Sequence, residues 1–228
     1  MAETGIDVRI GVVDSGCRDE QLPWVDAQAA FVIEDGQLWQ AEATSDTLGH
    51  GSAIVDIVNA LAPGSRFVLA QVFQQRFSTT AAQVAAAIDW LVGQRVGVIN
   101  LSLGLRQDRP ALREACERAL RAGVLICAAS PARGDPVFPA AYPGVFRMTG
   151  DARCARNEIS HLETEFADFG GHVRPLDGHP GASGASMGCA HMASHLARYL
   201  AGGGAPGPAS AREWLIGQAQ YHGPEQRR

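Results

Sequence analysis

The stretch GASMGCAH at residues 184–191 opens a predicted helix over 187–200, because Met192, Leu196 and Leu200 recur there at helical spacing. Ser186 then stands at the start of this helix, where backbone N–H groups lack intrahelical partners and the helix dipole is positive. A serine in that setting suits a nucleophile whose substrate develops an oxyanion. It cannot act alone, so this interpretation requires a base and an orienting acid elsewhere in the chain.

Composition describes a globular chain of 228 residues, 46% hydrophobic, long enough to form one domain over 1–228. A net charge of −5 and the lack of Lys/Arg runs argue against a nucleic-acid partner. No apolar run approaches the ~18 residues of a membrane span, and residues 1–5 lack the features of a signal peptide. The five scattered cysteines predict buried, reduced thiols in a cytoplasmic protein. The oligomeric state is left open.

Apolar runs and amphipathic runs alternate along the chain. Strands are predicted at 8–13, 66–72, 96–101 and 124–129, with a fifth candidate at 145–149. Further helices are predicted at 53–61, 79–93 and 110–122, and a short last helix follows residues 202–208. Strands separated by helices of this length indicate βαβ units. We therefore expect a compact α/β fold with three αβα layers and a mostly parallel sheet.

Two polar residues lie where such a fold places its sites. Asp14 follows the strand at 8–13, at the carboxyl edge of the predicted sheet, although an aspartate there is also typical of a turn or cap. His50 stands at the start of the helix at 53–61, between two glycines that leave room for close approach. A lone histidine in this position is as often a surface or capping residue. Together with Ser186, the two supply a candidate acid and base.

Four segments, taken in order, resemble the subtilisin-like serine peptidases (subtilases). They are VVDSG at 12–16, GHGS at 49–52, VINLSLG at 98–104 and GASMGCAH at 184–191. Each is a weak signal alone, but the order aspartate, histidine, serine is the one that subtilisin uses. The resemblance covers most of the chain and implies a subtilisin-like fold and a serine endopeptidase that needs no cofactor.

The resemblance also implies a role for each residue of the site. Ser186 would attack the peptide carbonyl, His50 would pass the proton to the leaving amine, and Asp14 would fix the histidine tautomer. The family's cleft binds an extended protein or peptide substrate by strand addition. By the same resemblance, that pairing would involve Ser102, Leu103 and Gly104. One wall of the pocket before the scissile bond would be Ala128, Ala129 and Ser130, near Val137, which predicts a small or apolar preference.

The chain departs from the family where an asparagine side chain usually helps to bind the oxyanion. Ala132 stands about where that asparagine is expected, and none of the three asparagines lies in this segment. Loss of one oxyanion donor from a subtilisin lowers turnover by roughly 10²–10³. Either another donor substitutes, from the Ser130 hydroxyl, Arg133 or backbone N–H groups, or the protein is a slow peptidase.

No metal site is expected from the sequence. In subtilisin-type members a calcium loop interrupts the helix after the catalytic histidine, whereas residues 59–63 here lead straight into the next strand. Asp151 and Asp168 lack the clustered spacing of calcium ligands. The cysteines and histidines lack the short paired spacings of zinc ligands, and the glycines near 183–186 fit no phosphate-binding motif.

Two functions are compatible with the motifs. Because Asp14 lies so near the start, no pro-segment is expected, and a cytoplasmic peptidase without one would have to be selective. We therefore expect a dedicated processing enzyme, for example one that removes the leader of a modified subunit. In this it resembles the small subtilases encoded with quinohemoprotein amine dehydrogenase. The alternative is a catalytically weak or inactive peptide-binding protein, which the missing asparagine favours and the complete triad disfavours.

Overall fold

The structure, a computed structural model, describes residues 8–176 and 183–225. Ten strands form one sheet with helices on both faces. The strands are β1 Arg9–Asp14, β2 Val25–Glu34, β3 Gln37–Ala41, β4 Arg66–Gln71, β5 Val98–Leu101, β6 Leu125–Ala129, β7 Phe146–Gly150, β8 Ile159–His161, β9 Phe169–Gly171 and β10 Tyr221–His222. The helices are α1 His50–Leu61, α2 Ala81–Gly93, α3 Pro110–Arg121, α4 Ala185–Ala201 and α5 Pro208–Gln218, with a 3-10 helix at Asp19–Trp24.

The sheet is mostly parallel, as the sequence predicts. Its strand order is β10-β8-β9-β7-β6-β5-β1-β4-β2-β3. Seven of the nine pairings are parallel, and the two antiparallel ones are β2 with β3 and β8 with β9. In the centre, β1 lies between β4 and β5, so the strand that ends at Asp14 is covered on both sides and both faces.

The three-layer αβα arrangement is confirmed by two separate apolar clusters. Ile10 and Val12 of β1 pack into the cluster that includes residues of α1, α4 and α5. Val13 packs into the opposite cluster, which includes residues of α2 and α3. This alternation follows from the period of two along a strand, and it requires the near-continuous apolar run of β1.

Antiparallel and very short strands are the elements that the sequence patterns do not predict. The β2–β3 hairpin turns at Asp35 and Gly36, both of which have positive φ, 51° and 77°. Strands β8, β9 and β10 have only two or three residues each. The predicted strands and helices are otherwise present, with boundaries that differ by a few residues.

The connection from α1 to β4 is as short as the sequence predicts. Helix α1 runs unbroken from His50 to Leu61, and residues 62–65 then lead into β4. No loop interrupts the helix after His50. Among the described helices, none combines the length and apolar character that crossing a bilayer requires.

Candidate active site

Asp14 ends β1 at the carboxyl edge of the sheet and is fully buried. Its Oδ1 accepts a hydrogen bond of 2.8 Å from the backbone N–H of Ser15. The Ser15 hydroxyl lies 3.2 Å from the same oxygen and accepts a hydrogen bond of 2.9 Å from the N–H of Gly51. Ser15 therefore connects the carboxylate to the start of α1, a positioning role that the sequence analysis did not assign.

His50 is the first residue of α1, and its ring pairs with Asp14. Nδ1 lies 2.8 and 2.9 Å from the two carboxylate oxygens. The start of α1 lies close to the segment that follows β1, and Gly51 makes this possible. A Cβ on Gly51 would lie 2.3 Å from the carbonyl oxygen of Gly16. When Nδ1 donates to the carboxylate, the neutral ring leaves Nε2 free to accept a proton.

The charge around His50 favours its protonated form. Burial lowers the pKa of the imidazole, but the Asp14 carboxylate more than offsets this, with a smaller contribution from Asp46, so the pKa lies above 6.5. Asp46 also caps α1: its carboxylate accepts backbone N–H bonds from Leu48, Gly49 and Ser52. The sequence analysis did not assign Asp46, although an aspartate just before a helix is a typical capping signal.

Ser186 is the second residue of α4 and faces the same cleft as His50. Within the described part of the chain, the hydrogen bond that its hydroxyl donates goes to the carbonyl oxygen of Ser102, at 3.1 Å, rather than to His50. The Ser102 hydroxyl lies 3.1 Å from the Ser186 carbonyl oxygen and 2.9 Å from Asn100 Oδ1. Beneath them, the Asn100 amide donates to Cys189 Sγ at 3.3 Å, which ties β5 to α4.

The cleft has a volume of about 490 Å³. Ser102, Leu103 and Gly104, the predicted substrate-pairing residues, line it together with His50 and Ser186. Its remaining lining residues are Phe73, Phe77, Ser78, Thr79 and Leu105. No sequence motif marks the two phenylalanines as site residues.

The candidate oxyanion donors Ser130, Ala132 and Arg133 are not among the lining residues of this cleft. The Ser130 hydroxyl donates a hydrogen bond of 2.7 Å to the carbonyl oxygen of Phe166, so it is engaged elsewhere. Ala132 and Arg133 are exposed. Backbone N–H groups at the start of α4, beside Ser186, remain available because the first turn of a helix has no internal partners for them.

A second cavity of about 180 Å³ lies beyond Ser130. Ala128 and Ala129, the other residues predicted to form a pocket wall, are buried and do not line it. Val137 does line it, near Ser130 as expected, but so do the charged side chains of Asp135, Arg147 and Glu165. This cavity therefore lacks the small, neutral lining that the sequence predicts for the pocket before the scissile bond, and that pocket stays a prediction.

The acids considered as calcium ligands are paired with arginines instead. Asp151 accepts hydrogen bonds from Arg153, and Asp168 accepts them from Arg147 and Arg212. Among the described residues, no three His, Cys, Asp or Glu side chains converge as a metal site would require.

The five cysteines are free and buried, as the sequence predicts. Burial raises the pKa of Cys17 to about 11 and the pKa values of Cys116 and Cys154 to about 12, so these thiols are protonated at neutral pH. His191 bonds the carbonyl oxygen of Met187 at 2.7 Å, and burial lowers its pKa to about 4. His191 is therefore neutral at pH 7 and stabilises the first turns of α4.

A model of the subtilase family matches residues 5–149, well over half of the sequence. The chain belongs to the subtilase family. The match includes Asp14 and His50 and ends before Ser186.

Two curated relatives come from Bacillus subtilis (strain 168). The minor extracellular protease Epr is 28% identical over 175 residues, covering 71% of this chain and 26% of the relative. The major intracellular serine protease is 29% identical over 184 residues, covering 71% of this chain and 56% of the relative. The chain therefore matches only about a quarter of the first and just over half of the second.

A solved structure, a cold adapted subtilisin-like serine proteinase, superimposes with a TM-score of 0.73 at 23% identity. The superposition covers 96% of this chain and 87% of that one. It confirms the subtilisin-like fold that the four sequence segments predict.

Proposed function

We propose that this protein is a serine endopeptidase in which Asp14, His50 and Ser186 form the catalytic triad. The observation that carries the proposal is the pairing of His50 Nδ1 with both oxygens of the buried Asp14 carboxylate, in a cleft that also contains Ser186. This pairing orients the imidazole and leaves Nε2 as the base. Membership of the subtilase family supports the same reaction.

In the proposed reaction, Ser186 Oγ attacks the carbonyl carbon of the scissile peptide bond while His50 Nε2 accepts its proton. The resulting imidazolium is stabilised by Asp14 and gives the proton to the leaving amine. Water then hydrolyses the acyl-enzyme by the same base. For the first step the Ser186 hydroxyl must exchange its Ser102 carbonyl partner for His50, which substrate binding along residues 102–104 is well placed to cause.

The proposed substrate is an extended protein or peptide segment that pairs with Ser102–Gly104. We place the enzyme in the cytoplasm, because five free, buried thiols suit a reducing compartment and one relative is an intracellular protease. A processing role, such as removal of a leader peptide, fits a cytoplasmic peptidase, because such an enzyme must not cleave the other proteins around it. The chain would act as one domain over 1–228.

Labelling with a fluorophosphonate, read by intact mass, tests the activated serine directly. The full chain should take up one label, and the Ser186→Ala and His50→Ala variants should take up none, because one lacks the nucleophile and the other its base. Ser183→Ala, just outside α4, is the matched control and should label like the wild type. Labelling that persists in Ser186→Ala would contradict the assignment of the nucleophile.

A second candidate function is peptide binding without cleavage. It is favoured by the Ser186–Ser102 hydrogen bond and by the lack of an asparagine in the segment after β6. In that case the wild type would remain unlabelled after prolonged exposure, yet extended peptides would still bind along residues 102–104. Stoichiometric labelling of the wild type excludes this candidate.

A further inference from the structure

Phe77 exposes a large apolar surface inside the catalytic cleft. Its relative exposure of 61% is the highest among the exposed large hydrophobic side chains of the described residues. The other four, Leu22, Ile33, Leu38 and Trp39, lie on the 3-10 helix and on the β2–β3 hairpin, and none of them lines the cleft. An exposed aromatic ring beside a nucleophile and a base is where a substrate side chain would be buried.

The ring of Phe77 is held against the catalytic histidine. Its centroid lies 5.6 Å from that of His50, edge to face, and 5.6 Å from that of Phe73, which is buried. The segment that carries Phe77 ends where α2 begins, and there Thr80 and Gln83 form a capping box that fixes the entry to the helix. Phe77 is therefore supported on both sides of its loop rather than presented on a free end.

The position of Phe77 determines which side chain of a bound substrate can contact its ring. A strand that pairs with Ser102–Gly104 places successive side chains on opposite sides. With the residue before the scissile bond directed towards the second cavity, which Ser130 lines, the residue before that one faces His50 and Phe77. Its side chain would cover the exposed face of Phe77 and exclude water from the imidazole.

We propose that Phe77 is a specificity-determining residue, and that it selects substrates with a bulky apolar side chain two residues before the scissile bond. This inference rests on the proposed peptidase function and names a feature of its substrate. Phe73, Phe77 and Leu103 make the wall of the cleft at this position apolar. Among the described residues, the cleft has no charged side chain in its lining apart from His50. A leucine or phenylalanine at that substrate position buries area that an alanine leaves exposed.

Two peptides that differ at this position alone test the inference: acetyl-Ala-Ala-Leu-Ala-aminomethylcoumarin and its Ala-Ala-Ala-Ala counterpart. The wild type should hydrolyse the leucine peptide with roughly tenfold higher kcat/KM, the lower end of what an apolar pocket discriminates. Phe77→Ala should reduce this ratio to about one, whereas Phe77→Leu, which keeps an apolar side chain, should retain most of it. Leu38→Ala removes an exposed leucine of β3 outside the cleft, so it should keep the full ratio.

Equilibrium binding of the same two peptides to Ser186→Ala separates this inference from the proposed reaction, because binding needs no cleavage. Tighter binding of the leucine peptide, lost in the Ser186→Ala, Phe77→Ala double variant, would support the subsite even if hydrolysis were absent. Equal binding of the two peptides, or a leucine preference that survives Phe77→Ala, would overturn the inference. Tighter binding of the alanine peptide would also overturn it, since Phe77 would then fill the subsite instead of lining it.

Discussion

At the scale of single residues, the Asp14–His50 pair determines how the site responds to pH. The carboxylate outweighs burial and holds the pKa of His50 above 6.5. Because the proposed base is the neutral imidazole, kcat/KM should rise with pH through this raised pKa. The same pair contributes stability that is complete below the unfolded pKa of about 6.5 and is lost as the pH rises through the raised pKa.

Asp14→Asn should change both the pH profile and the rate. Without the carboxylate, burial lowers the pKa of the imidazole and only the smaller contribution of Asp46 opposes it, so the midpoint of the acid limb should move to lower pH. The rate should also fall by roughly 10⁴, the loss seen when the orienting aspartate of a serine protease becomes asparagine. The kcat/KM profile against pH measures the first effect, and NMR titration of His50 in a Ser186→Ala background measures it without turnover. An unchanged midpoint would contradict the role given to Asp14.

At the scale of elements, the position of Ser186 depends on how closely α4 approaches β7. A Cβ on Gly188 would lie 2.2 Å from the carbonyl oxygen of Thr149, which is backbone and cannot move aside cheaply. Gly188 lies two residues after Ser186 on the same helix. Any displacement of α4 at this contact therefore displaces Ser186, the proposed nucleophile.

Gly188→Ala should destabilise the protein by about 1–3 kcal/mol, the usual cost of forcing extra atoms into a packed core, and should lower kcat/KM as well. The midpoint of urea unfolding, with an unchanged slope, measures the first effect. Gly217→Ala is the matched control, because a Cβ added to Gly217 in α5 would meet no atom within 4 Å. It should be neutral or stabilising by up to about 1 kcal/mol. Similar losses in both variants would contradict the steric argument.

The sequence predicts elements well where burial on both faces leaves a strong pattern. Strands β1 and β4–β6 are short, mostly apolar runs, and the helices between them carry apolar faces, so these strands and helices are recognisable without tertiary information. The β2–β3 hairpin lacks such a pattern, since β3 is exposed at every residue. The sequence feature that indicates this hairpin is the Asp35-Gly36 pair, which is common in two-residue hairpin turns. Strands β8–β10 are too short to carry any pattern, and pairing with neighbours defines them.

Only part of the candidate site is predictable from the sequence. Asp14, His50 and Ser186 lie in recognisable motifs, and the structure brings His50 and Ser186 to one cleft, with Asp14 buried behind His50. Phe77 was not predictable, because nothing local in its sequence relates it to His50; only the fold sets the two rings 5.6 Å apart. Ser130 was predictable as a candidate oxyanion donor, but its hydroxyl bonds Phe166 instead. That bond depends on a loop 36 residues away, which no local sequence pattern indicates.

At the scale of the whole molecule, Asp168 connects three parts of the fold. Its carboxylate bonds Arg147 of β7 at 2.7 Å and Arg212 of α5 at 3.0 Å, just before β9 begins. The Asp168 side chain is only 12% exposed. Burial raises its pKa, but the two arginines more than offset this, so the pKa lies below 3.8.

Asp168→Asn should lower the free energy of unfolding by about 2 kcal/mol, less than the loss of a fully buried pair because both arginines remain partly exposed. In the wild type this contribution is present above the unfolded pKa near 3.9 and is lost as the pH falls through the lowered pKa. Urea unfolding at pH 7 and near pH 3 measures both statements. Asp89→Asn breaks an exposed pair with Arg118 and should cost much less stability than Asp168→Asn, because solvent screens that pair. Equal losses at the two positions would contradict the linking role of Asp168.

The distance along the chain between β1 and α4 has a consequence during synthesis. Asp14 and His50 leave the ribosome before Ser186, which follows 136 residues after His50, and α4 cannot pack against α1 until it emerges. At about 5–20 residues per second, this delay lasts on the order of ten seconds. Throughout that interval the nascent chain carries the proposed base and acid but not the proposed nucleophile, so the proposed peptidase activity cannot begin before α4 has emerged.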